Sequence, residues 1–105
     1  MSEIMKMIEL VAYQKQAIVS KTLVEKETGT VTLFAFDKDQ SLSEHTAPFD
    51  ALVQVIDGRA EIRIAGVSHL VNEGEMLLLP ANRSHALKAL TPFKMMLTMI
   101  RSESK

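Results

Sequence analysis

Histidine is the residue type in this chain with the widest chemical range, because a neutral imidazole can ligate a metal, share a hydrogen bond or move a proton near neutral pH. There are three, at positions 45, 69 and 85. Two of them sit in stretches of similar build. His45-Thr46-Ala47-Pro48-Phe49-Asp50-Ala51 runs on to Gly58, and Gly74 runs through Pro80-Ala81-Asn82-Arg83-Ser84 to His85. Each sets one histidine beside a short apolar strand and is punctuated by glycine or proline where the backbone must turn. His69 has the parity of Val67 and Val71 on a very short strand, where a half-exposed histidine without a role is the expectation. Ser43 and Ser84 lie near the two imidazoles, but no nucleophile elbow or third orienting group accompanies them, so serine hydrolysis is a weak reading. Metal chemistry needs more than two imidazoles. A catalytic zinc takes three protein ligands, and the non-haem iron triad takes two histidines and a carboxylate.

Cysteine is absent, which removes disulfides, thiolate nucleophiles and thiolate-held metals together. Methionine sulfur would suit only a soft ion such as copper(I). In Phe93-Lys94-Met95-Met96-Leu97-Thr98-Met99-Ile100, residues Met95, Leu97 and Met99 share one face of a strand, and core filling is the expected use of such methionines. The net charge is -1, with the basic residues scattered singly, so nucleic acid and anionic membrane are poor partners. No apolar run approaches the roughly eighteen residues that span a bilayer. The N-terminal apolar residues are interrupted by Lys6 and Glu9, unlike a signal peptide, and a cytoplasmic location is expected.

The elements that position the histidines read mainly as strands. Ile4, Met7, Ile8 and Val11 have helical spacing and predict a short N-terminal helix, or an edge strand, within an arm over residues 1–16. The β-branched segment 17–25, a turn at Thr28-Gly29 and the run 31–36 predict a hairpin. A polar loop over 37–44 follows, then the nearly continuous apolar run Ala51-Leu52-Val53-Gln54-Val55-Ile56, expected to be covered on both faces. Asp57-Gly58 after it predicts a tight two-residue hairpin. Residues 60–65 alternate, with Ala60, Ile62 and Ile64 inward, and further strands are expected at 67–71, 76–79, 84–89 and 93–101. About eight or nine short strands without helical crossovers predict one all-β antiparallel domain over residues 1–105, its barrel spanning 17–101.

These residues resemble a small single-domain cupin. The second cupin motif is matched by Gly74, Pro80, Asn82 in a glycine place, and His85, although Ala89 replaces its final asparagine. The first is matched by His45 and Gly58, with Asp39 in the place of its leading glycine, Ala47 in that of its second histidine and Ala51 in that of its glutamate. The resemblance implies a jelly roll, and it implies that only His45 and His85 remain of four metal positions. Asp50, beside the vacant glutamate place, is the expected third ligand if a divalent transition metal is held, since a loop after Pro48 could rotate it inward; Glu44 should face away from His45. The alanines at 47 and 51 remove bulk and charge from the mouth of the roll. The expected alternative is therefore a metal-free pocket for a small organic ligand, bounded by His45, His85, Ala47, Ala51 and Phe49, with Phe34, Phe36, Val53 and Met95 near.

Two functions stay open from the sequence: a small-molecule-binding domain, or a metal-dependent cupin enzyme of oxygenase or isomerase type using His45, His85 and Asp50. A sensory domain of a transcription regulator is a third, set back by the lack of a visible helix-turn-helix segment. Small cupins usually pair, and the apolar run 51–56 with Ile4, Ile8 and Val11 predicts a homodimer.

Overall fold

The computed structural model describes residues 2–102. Nine strands follow an N-terminal arm: β1 (Ile18–Lys26), β2 (Gly29–Phe36), β3 (Ser41–His45), β4 (Phe49–Asp57), β5 (Arg59–Ile64), β6 (Val67–Asn72), β7 (Met76–Leu79), β8 (His85–Ala89) and β9 (Phe93–Arg101). They form a five-stranded sheet in the order β1-β2-β9-β4-β7 and a four-stranded sheet in the order β3-β8-β5-β6. Every pairing is antiparallel. The fold is thus the expected all-β jelly roll, built as two facing sheets rather than one continuous hydrogen-bonded cylinder.

Alternation explains why the sheets stack. Ala51, Val53 and Val55 of β4 point inward with Phe93 and Met95 of β9, and meet Ala60 and Ile62 of β5 and Leu87 and Ala89 of β8 from the other sheet. Phe36 and Phe93 pack with ring centroids 5.2 Å apart and close the end of the core away from the histidines. β4 is covered unevenly. Its outward residues Leu52 and Ile56 are only half-buried, so the run 51–56 offers less apolar surface to a partner than its composition implies.

Three local expectations give way to tertiary context. Asp57-Gly58 is not a hairpin, because β4 pairs with β7 and β9 whereas β5 pairs with β6 and β8. The pair is instead the corner where the chain passes from one sheet to the other. Gly58 has φ +72°, and a Cβ there would lie 2.0 Å from the carbonyl oxygen of Pro92, so the corner requires glycine for both shape and space. A strand, β3, occupies part of the expected polar loop; only Leu42 in it is apolar, as suits an edge strand buried along one thin line.

Among its described residues the arm contains no three-turn helix, only a single 3-10 turn at Met7–Glu9. A helix of that length needs a packed face, and among Ile4, Met7, Ile8 and Val11 only Val11 is buried, against Leu33 and Ala35 on the outer side of the larger sheet. Polar contacts hold the arm there. The Tyr13 hydroxyl donates to Asp57 Oδ2 at 2.6 Å, the Lys94 ammonium donates to the Ile8 carbonyl at 2.6 Å, and that ammonium lies 4.8 Å from the centre of the Tyr13 ring. Burial and the Asp57 carboxylate push the Tyr13 phenol well above its ordinary range, which keeps it protonated as the donor.

Candidate functional site

His45 and His85 meet across the β3–β8 pair, where they are direct partners. The register there is irregular. Leu42 faces Leu87 and His45 faces His85, so two residues of β3, Ser43 and Glu44, span the distance that Ala86 alone spans on β8. This is a β-bulge, and it sets the direction of His45. With strict alternation from the inward Leu42, the inward place would fall to Glu44; the extra residue reverses the parity and turns the imidazole toward the cavity mouth, where it stays exposed. β8 needs no such device, since His85, Leu87 and Ala89 alternate regularly. The ring centroids of His45 and His85 are 4.4 Å apart, edge to face at 68°.

Both rings are fixed by their own strands. His45 Nδ1 donates to the Ser43 carbonyl at 2.8 Å and His85 Nδ1 donates to the Arg83 carbonyl at 3.2 Å. A carbonyl only accepts, so each Nδ1 carries the proton, and in the neutral ring each Nε2 keeps a lone pair. Among the described residues neither Nε2 has a protein partner. Burial is the main reason that His85 is held below the ordinary imidazole range, the nearby His45 adds to the effect, and the bond to Arg83 opposes it. His85 is therefore neutral near pH 7.

Beneath the two imidazoles lies a cavity of about 130 Å³. Its walls are apolar apart from the imidazoles, and among the described residues no charged side chain lines it. Of the residues expected around the histidines, Ala47, Phe49, Ala51, Val53 and Met95 line the cavity, whereas Phe34 and Phe36 do not. Leu42, Ile62 and Leu87 of the smaller sheet and Leu79, Leu97 and Met99 of the larger one also line it, beyond that expectation; strand alternation was the available signal for all but Leu42, which lies in the expected polar loop. Phe49 stands at the rim with the Arg101 guanidinium 5.5 Å from its ring centre.

Asp50 is not brought to the imidazoles. Ala51 faces inward, so its neighbour on the extended strand faces outward, and Asp50 Oδ1 accepts from the Ala81 N–H at 2.9 Å. Asp50 joins the two histidine-bearing stretches instead. The Asn82 N–H donates to the Ala47 carbonyl at 2.9 Å and the Ser84 hydroxyl donates to Glu44 at 2.6 Å, completing the same seam. Asn82 and Asp39, which stand in glycine places of the two motifs, have φ of 64° and 71°, so both positions keep the left-handed backbone that the motif demands. Among the described residues no three His, Asp or Glu side chains are grouped to hold a metal ion. Two imidazoles with thioethers below them do not fit the three-ligand site of a metal-dependent cupin enzyme.

Two facing antiparallel sheets with paired histidines at one mouth define the class, a small domain of the cupin superfamily. The chain belongs to the AraC-like ligand binding domain family, whose model matches residues 28–101. Among solved structures it is similar to a conserved protein of unknown function from Streptococcus pyogenes, at 32% identity over 99% of this chain and 91% of that one, with a TM-score of 0.94. It also resembles a cupin 2 conserved barrel domain protein from Leptotrichia buccalis, at 44% identity and a TM-score of 0.87, over 90% of this chain and 46% of that one. A cupin superfamily protein from Desulfitobacterium hafniense shares the fold at 21% identity, over 98% of this chain and 94% of that one, with a TM-score of 0.90. No curated protein matches the chain. Among the described residues no helix is long and apolar enough to cross a membrane.

Proposed function

We propose that this protein binds a small organic molecule in the cavity beneath His45 and His85, without a metal and without catalysis of its own. The observation that carries the reading is an apolar chamber with two oriented imidazoles as its polar groups, the general form of a small-molecule site. Ala47 and Ala51 keep it open where larger or charged side chains would fill it. The family model, named for ligand binding, favours the same reading. Isothermal titration with small aromatic probes tests it: saturable binding that is lost in Ala51→Leu supports the proposal, and no binding of any probe refutes it.

Among the described residues no third ligand joins His45 and His85, which disfavours the metal-enzyme reading. The homodimer remains a proposal. It is supported by the exposed Met76, Leu78 and Ile100 on the outer face of the larger sheet, together with Ile4 and Met5 on the arm. A cysteine-free chain also fits a reducing compartment, and a cytoplasmic location is proposed on that ground.

A further inference from the structure

We infer that the cavity selects an uncharged, mainly apolar molecule of about the size of benzene that carries a single hydrogen-bond donor at one end, the phenol class, with that donor taken by Nε2 of His45 or His85. The inference rests on the small-molecule reading above and deepens it. Size comes first: at about 130 Å³ the chamber is close to the engineered apolar cavity of about 150 Å³ that stays dry and admits benzene. Polarity comes second. Because both Nδ1 atoms donate to the carbonyls of Ser43 and Arg83, the mouth offers two acceptor lone pairs and, among the described residues, no side-chain donor.

A ligand must therefore bring the proton. A carboxylate or phosphate would face lone pairs, since among the described residues no cation lines the chamber and the Arg101 guanidinium at the rim lies against the Phe49 ring, and a polyol would bury further hydroxyls against Leu42, Ile62 and Leu87, where nothing pairs with them. A phenol matches both features: its ring fills the chamber and its hydroxyl reaches one imidazole. The second imidazole, edge to face at 4.4 Å, holds the first in place and leaves a second acceptor within the same mouth.

The test uses the full chain at pH 7.5 and four probes of one shape: phenol, its methyl ether anisole, toluene and benzoate. Binding is followed by titration calorimetry and by methyl shifts of Met95 and Met99. Phenol is expected to bind about tenfold more tightly than anisole, the equivalent of one buried hydrogen bond, and benzoate is expected to show no saturable binding. In the His45→Ala/His85→Ala double variant the preference for phenol over anisole disappears; the wild-type series decides alone should that variant not fold. Anisole binding as tightly as phenol, or benzoate binding most tightly, overturns the ligand class and leaves the cavity reading in place. Failure of all four probes, toluene included, overturns both.

Discussion

Replacing Ala51 by leucine should stabilise the protein while destroying its binding site. Ala51 is buried on β4, with Leu79 and Met99 as its strand partners, and its methyl forms part of the cavity wall. A longer side chain there grows into empty space. If leucine fills about half of the 130 Å³, at about 24 cal/mol for each Å³ of cavity removed, the gain is ~1.5 kcal/mol. For a domain of this size that raises the melting temperature by about 6–12 °C. Ala51→Val, with less added volume, should lie between. Thermal unfolding followed by circular dichroism gives the first number, and titration with toluene gives the second. A chamber kept open for a ligand trades stability for function, so the two effects should run in opposite directions. A fall in melting temperature for both variants would refute the reasoning, since it would mean that the space below the histidines is already closely packed.

Other perturbations test other parts of the account. His85 has a lower pKa folded than unfolded, so the native state resists protonation: its contribution to stability is complete above about pH 6.5, is lost as pH falls from there through the folded value, and is absent from a His85→Leu variant. Urea midpoints of the two proteins at pH 7.5 and pH 5 should therefore diverge, and parallel midpoints would contradict the burial of that ring. Gly58→Ala should cost about 3 kcal/mol, combining a positive φ with the clash against Pro92, and an unchanged melting temperature would disprove the inter-sheet corner. Tyr13→Phe removes the bond to Asp57 and should speed tryptic cleavage at Lys15 several-fold without altering probe binding; an unchanged cleavage rate would mean that the arm is held by its apolar contacts alone. Sedimentation at micromolar concentration should report twice the protomer mass, and one protomer mass would set the proposed homodimer aside.

The sheets were legible because alternation is a strong signal wherever one face is buried. β5, β7 and β9 lie where their patterns place them, and Met95, Leu97 and Met99 do share the inward face. What the sequence concealed was decided by distant partners. Asp57-Gly58 has the chemistry of a hairpin, yet the same left-handed glycine serves a corner when β4 finds β9 and β7 instead of β5. The arm has a helical stripe with no surface to receive it beyond Val11. Near the site, the convergence of His45 and His85 followed from motif spacing, but the bulge at Ser43-Glu44 did not, since a bulge is a mismatch between two strands and neither strand shows it alone. Asp50 was expected among the ligands for the opposite reason: proximity in sequence to Ala51 says nothing of direction, and strand parity turns it toward Ala81.

Two imidazoles, each with Nδ1 engaged by a backbone carbonyl and Nε2 left toward an apolar chamber, are the central feature of the site. Long-range ¹H–¹⁵N correlation spectra of the histidine rings at pH 7.5 read this directly, because the two ring nitrogens resonate differently according to which carries the proton. The account predicts protonated Nδ1 and bare Nε2 for both His45 and His85. A protonated Nε2 on either ring would contradict it, replacing an acceptor at the mouth with a donor and reversing the kind of ligand the site can hold.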